Sequence, residues 1–436
     1  MSPKNAPAAT PRRGGLARSA FRAFVGYGIS MAILAIVSLL SIPAMISASG
    51  PGAWGMIAAG QSIGGVGAVV IAYGWGLSGP AVIAQADPAT RLREYVESVV
   101  AKFWLFIPVG IAVFCIAFLV GRQFAIYAGI AAIAQAAIGL LANWYFVGIA
   151  KPYALLALET VPRVLGTAIS IVVMDLGSSA LVGVIWQLIG VLAAFAVSSV
   201  WIIRPWDRAP LRAVQRRPLR TVLVSQRHGV TSTILSSVYS SAPIVIVALV
   251  APAAQPVYAV VDKVQRQVIV ALGPFVTVLQ GWVPRAVGAA LASRVRTALI
   301  FSSASALVLG ALMALAAPLL VRWLGGNQIH PTLVTLILMA VLTAIAYLES
   351  VVSKACLAAL RRINVVARST AIGSAVGLPL VAIGAIFWGA PGAILGIVCG
   401  LTLRVILEWI GVARSMDDLQ EQEPSVVDQA IVGVDE

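Results

Sequence analysis

Charge is scarce in this chain. Asp, Glu, Lys and Arg together make up 11% of its 436 residues, where a soluble domain carries about 25%. Too few charged side chains remain to build a water-facing surface of ordinary size. Cysteine and histidine are also rare, at 3 and 2 residues. Cys115, Cys356 and Cys399 lie in or beside apolar runs, without the spacing of a metal site or a disulfide framework. His228 and His330 each stand alone at an expected helix end, so no metal is expected. No GxxxxGKS/T, HExxH or CxxC occurs, which leaves no loop to cradle the phosphates of ATP. The stretch Gly60–Gly64, GQSIG, matches GxSxG, but that motif needs a strand–turn–helix and His and acid partners. It lies inside an apolar run, and we read it as coincidence. Neither an enzyme nor a cofactor is expected.

What the chain has instead is apolar length. Hydrophobic residues make up 60% and the mean hydropathy is +0.97. Runs long enough to cross a hydrocarbon core of roughly 30 Å recur from end to end. They predict an all-α polytopic membrane protein with twelve spans: 24–48, 53–78, 99–120, 124–147, 155–174, 179–203, 229–252, 256–283, 297–321, 332–355, 367–388 and 391–412. Trp75, Trp201, Trp206, Trp282, Trp323, Trp388 and Trp409 fall at or just past span ends, where an interfacial belt would put them.

Lys and Arg orient the spans. With the N-terminus inside, 26 of the 30 fall on cytoplasmic segments or flanking helix ends, Lys102 among them, and only Arg122 and Arg322 lie outside. Both termini are therefore expected in the cytoplasm. The net charge of +14 reports this topology, and no nucleic acid is expected as a partner.

The spans divide into two sixes, 24–203 and 229–413, joined by a basic linker, 204–228. A basic segment, 1–23, precedes them and an acidic one, 414–436, follows; both are expected to be disordered. The halves echo each other at an offset near 204: Pro80 answers Pro284, Lys151 answers Lys354, and Arg163 answers Arg368. Six helices per half, each half starting on the same side, describe a parallel repeat. Gly60 and Gly64 form a small-xxx-small pair suited to close helix packing.

Charge within the spans is the functional signal. Glu159 with Arg163, and Arg404 with Glu408, stand four apart near cytoplasmic ends, where pairing and snorkelling to water give them a structural role. The stretch YAVVDKVQRQVIVALGPF, Tyr258–Phe275, is different. At 1.5 Å per residue its Arg266 lies about 15 Å from the outer end of the span, near the midplane. Lys263 and Arg266 share a face, Asp262 can pair with Arg266, and Gln265 adds hydrogen-bonding capacity. The matching region of the first half, around Gln61 and Ser62, is uncharged. Intramembrane charge marks function by default. The alternative is an ion pair that ties this helix to a neighbour. A cationic cavity lining would suit a phosphate or diphosphate headgroup, with Lys263 and Arg266 as candidate headgroup ligands and Asp262, Gln265 and Gln61 as supporting residues.

WYFVGIAKPYALLALETVPR, Trp144–Arg163, resembles the fourth-to-fifth helix signature of the polysaccharide flippases, the O-antigen and exopolysaccharide exporters of the multidrug/oligosaccharidyl-lipid/polysaccharide superfamily. Trp144, Phe146, Gly148, Lys151 and Arg163 occupy its positions, while Val147 and Ala150 depart from it. Tyr258 and Lys263 fit the family's eighth-helix pattern. The resemblance implies a flippase in the cell membrane that moves a lipid-linked oligosaccharide on a polyprenyl-diphosphate carrier to the outer leaflet. It implies as partners membrane lipids, a polysaccharide polymerase and other assembly proteins. A cation-coupled multidrug antiporter of the same superfamily is the rival reading; it needs a titratable carboxylate, which Asp262 could supply.

Overall fold

The computed structural model describes residues 13–204 and 218–432, and these are helical almost throughout with no strand. Seven helical stretches are long and apolar enough to cross a membrane, or eight counting Gln255–Ala271 with Gly273–Arg285, bent by 40°. Three of the seven are double. Tyr27–Gln85 breaks at Gly50 (φ 82°) and Ile363–Asp417 at Gly389 (φ 64°), a left-handed backbone that glycine adopts without steric cost. Pro88–Gly148 turns at Arg122.

Separated at these breaks, the helices are α1 (13–49), α2 (51–72, continued by Trp75–Gln85), α3 (Pro88–Gly121), α4 (125–148), α5 (Pro152–Asp175) and α6 (Ala180–Ile203). The second six are α7 (Leu219–Val250), α8 (Gln255–Arg285), α9 (Gly288–Leu324), α10 (Leu333–Leu357), α11 (363–388) and α12 (390–432). The fold is the expected all-α, multi-pass membrane protein, with twelve helices among the described residues. Among the described residues, 13–23 and 414–432 have helical backbone. Residues 1–12, most of the basic linker with Trp206, and the last four residues lie outside the described residues.

The same turns recur in both halves, with a change of register. Arg122 (φ 50°) and Gly326 (φ 54°) mark equivalent turns 204 residues apart; Ala150 (φ 53°) and Arg361 (φ 57°) are 211 apart. The second half spends extra residues in the turn between Leu324 and Leu333.

Small residues set the helix spacing. A Cβ on Gly60 would lie 2.1 Å from the Ala128 carbonyl oxygen, and one on Gly64 at 2.1 Å from that of Ala132. The glycines of GQSIG thus bring α2 onto α4, as the packing reading expects. Gly384 faces Gly392 and Gly377 faces Gly400 along the α11–α12 hairpin. Trp75 departs from the interfacial belt. It is 2% exposed, in a core with Ile83, Tyr95 and Trp144, because Gly74 (φ 82°) turns the chain inward just before it. Trp201, Trp323, Trp388 and Trp409 are exposed.

The cores reveal how the halves meet. At the end carrying the Gly50 and Gly389 turns, one apolar core takes Ile42, Met45, Ile46, Trp54 and Ile57 from the first half and Tyr258, Val260, Val261, Val321 and Leu324 from the second. Gln255 closes that seam by donating to the Gly55 carbonyl at 3.2 Å. At the opposite, basic end the cores divide. Trp75, Tyr95, Trp144 and Phe146 bury one in the first half, with Leu223 of α7 packed against it; Val283, Val295, Val352 and Val412 bury another in the second.

Candidate functional site

Between the shared core and the divided ones lie two adjoining cavities of about 110 and 220 Å³. Gln61, Gln135 and Lys263 line both. The first adds Ser38, Ser41, Thr167, Gln187 and Arg163; the second adds Ser237, Ser240, Ser241, Asp262 and Arg266. For a chain so apolar, this is a concentration of amides, hydroxyls and charge. Three basic side chains face one acid, and the lining comes from both halves.

The residues expected from the sequence are largely brought together here. The Lys263 ammonium reaches the Gln61 side-chain oxygen at 3.4 Å, across the two halves. That contact is long, and leaves most of the ammonium's donor capacity to the cavity. Arg266 is more committed. Its Nε donates to Asp262 at 2.7 Å and its Nη2 to the Ser240 carbonyl on α7 at 2.6 Å. The expected Asp262–Arg266 pair therefore exists, and Arg266 also ties α8 to α7. Gln265 lines neither cavity, since it projects from a different face of α8 than Asp262 and Arg266.

Arg163, Gln135, Gln187 and the α7 serines join the site without having been singled out as candidates. Glu159 and Arg163, four apart on one helix, interact electrostatically as their spacing predicts but do not close into an ion pair. Arg163 faces the cavity. Glu159, 3% exposed, accepts the Ala142 N–H at 2.6 Å. Lys102, 2% exposed, donates to the Leu141 carbonyl at 2.8 Å and sits 5.8 Å from the centre of the Trp144 ring. The expectation that Glu159 reaches water fails, and Lys102, counted at a flanking helix end, is buried beside it for the same reason. Helix α4 breaks at Leu141–Ala142, and a backbone C=O and N–H freed inside apolar surroundings each need a partner. The lysine meets the C-terminal end of the first segment and the glutamate the N-terminal end of the second, the signs that helix dipoles favour. No periodic pattern announces that break, because Leu141 and Ala142 are ordinary helix formers.

No protein-family model and no curated protein sequence matches the chain. Solved structures do. A multidrug resistance MATE family transporter of the MOP superfamily, in an inward-facing conformation, aligns with a TM-score of 0.69 and 15% identity over 92% of this chain and 99% of that one. Lipid II flippase MurJ, in an inward closed conformation, aligns with 0.61 and 13% over 95% and 93%. A MATE in complex with MaL6 gives 0.50 and 15% over 92% and 97%. At such identities the likeness speaks for the fold alone. The described residues share the multi-pass helical fold of that MATE family transporter and of lipid II flippase MurJ.

Proposed function

We propose that this chain is a flippase for a lipid-linked oligosaccharide, carrying a polyprenyl-diphosphate headgroup and its sugars from the inner to the outer leaflet for cell-surface polysaccharide assembly. The observation that carries the reading is the cavity's charge: Arg163, Lys263 and Arg266 against Asp262 alone. Fixed positive charge in a confined site selects anions, and paired N–H donors suit phosphate. Glutamines and serines offer the donors and acceptors that sugar hydroxyls need. A cation-coupled multidrug antiporter is the second reading, favoured by the MATE fold and by Asp262; an organic cation would have to displace Arg266 from that carboxylate.

The shared apolar core closes one end of the cavity, and the divided cores leave the basic end as the side from which it is filled. With the positive-inside orientation, that side is the cytoplasm. The sugar-bearing diphosphate would pass between the halves while its lipid tail stays in the bilayer. Opening of the Gln255–Gly55 seam would then release it outside.

Purified protein in liposomes loaded with a fluorescent polyprenyl-diphosphate oligosaccharide tests the function directly. Flipping should proceed without nucleotide, ion gradients held fixed, and should be competed by unlabelled lipid diphosphate rather than by organic cations. Competition by cations alone would select the antiporter. Orientation is tested by single-cysteine labelling at position 215 in a background lacking Cys115, Cys356 and Cys399. Labelling is expected only after the membrane is permeabilised, and labelling of intact cells would overturn the orientation.

A further inference from the structure

At the basic end of the second half, away from the cavity, three helices converge on a second charged cluster. Arg404 of α12 donates through Nε to Glu408 at 2.9 Å, the pairing expected from their spacing. The same guanidinium, through Nη2, also makes an ion pair with Glu349 of α10. The Ser369 hydroxyl of α11 donates to the bonded Glu408 oxygen at 3.0 Å. These are the charged and hydroxyl groups that face Glu408 from the helices packed on it. Glu408 is fully buried, and its second oxygen, Oε2, has no partner among the described residues. Glu349 and Arg404 keep 13% and 15% of their side chains exposed, which gives the cluster a route to water.

Two carboxylates on one guanidinium leave one negative charge over. An uncompensated buried charge costs several kcal/mol, and carboxylates that share a site respond by keeping a proton between them. The cluster is rigidly built. A Cβ on Gly373 would lie 2.8 Å from the Gly400 carbonyl oxygen and 3.1 Å from the Arg404 Cβ, so α11 and α12 pack closely beside the cluster.

We propose that Glu349 and Glu408, bridged by Arg404, form a binding site for one exchangeable proton. The proton enters and leaves through Glu349. Its loss places two like charges between α10 and α12, so proton binding is coupled to the packing of the second half. Such a site supplies what a transporter without a nucleotide loop requires, a coupling ion, and it does not depend on which substrate the cavity carries.

Infrared difference spectroscopy on the full-length protein in lipid nanodiscs, titrated from acid to alkaline pH in potassium buffer, tests the proposal. The wild type should show a protonated-carboxyl C=O band at neutral pH that disappears on alkalinisation, with an amplitude of one carboxyl per chain. Glu349→Gln and Glu408→Gln should each remove it, and Glu159→Gln should leave it. Because the folded chain then binds more protons than the unfolded one, its thermal stability should fall as pH rises through the same titration. Both glutamine variants should flatten that fall, so the stability curve of either one that folds suffices. A band that persists in both variants, or a wild type without any such band, would overturn the site. Loss of the band at fixed pH when sodium replaces potassium would make it a metal-cation site and overturn the proton assignment.

Discussion

Arg163→Ala and Lys263→Ala should each lower the rate of headgroup flipping about ten- to a hundredfold while leaving yield and monodispersity near wild type. A hydrogen bond to a charged group is worth about 1.5–3 kcal/mol, and each 1.4 kcal/mol is tenfold. Both side chains line the cavity without a close ion pair: Arg163 has none among the described residues, and Lys263 has only the 3.4 Å contact with Gln61. Removing either costs little structure. Arg266→Ala should behave differently, because it strands Asp262 and frees the Ser240 carbonyl; losses in both yield and flipping are expected. The double variant Asp262→Asn with Arg266→Gln separates the two roles. Recovered yield with flipping still depressed assigns Arg266 to the substrate. Recovery of both leaves it as a tie between α8 and α7, with Arg163 and Lys263 as the phosphate ligands. Arg163→Ala and Lys263→Ala proteins that flip at the wild-type rate would falsify the headgroup site.

Gly60→Val or Gly64→Val should abolish folded protein, and Gly60→Ala should cost most of what over-packing a core costs, about 1–3 kcal/mol. The reason is geometric. The new Cβ meets a backbone carbonyl of α4 at 2.1 Å, and backbone cannot rotate aside as a side chain can. Relief requires moving α2 from α4, and with it Gln61 from Gln135, which both face the cavity. Gly110→Ala is the control: its Cβ would meet nothing within 4 Å, so better helix propensity alone should make it neutral or stabilising. The comparison is read from thermal unfolding and from the monodisperse fraction after extraction. Equal stability of Gly60→Ala and Gly110→Ala would show that α2 and α4 are not held at this distance.

Much of this was legible in the amino-acid order because the bilayer imposes a simple rule. Apolar segments must be helical to satisfy their own backbone, so length and hydropathy determined the helices, and glycine-rich stretches such as Gly60–Gly64 determined where two could touch. The charges of α8 stood out for the same reason: a midplane Lys263 or Arg266 is too costly to be incidental.

Tertiary structure decided the rest. Helical spacing can say that Glu159 and Arg163 share a side of α5. It cannot say that α4 breaks opposite one of them and a cavity opens opposite the other, because those partners come from helices tens or hundreds of residues away. The same holds for Arg404: the sequence determined its pairing with Glu408, four residues on, but only packing α10 against α12 brought Glu349 to the same guanidinium and left a charge to be neutralised. Local pairing is a property of one helix and its 3.6-residue period; the balance of charge in a site is a property of every helix that meets there.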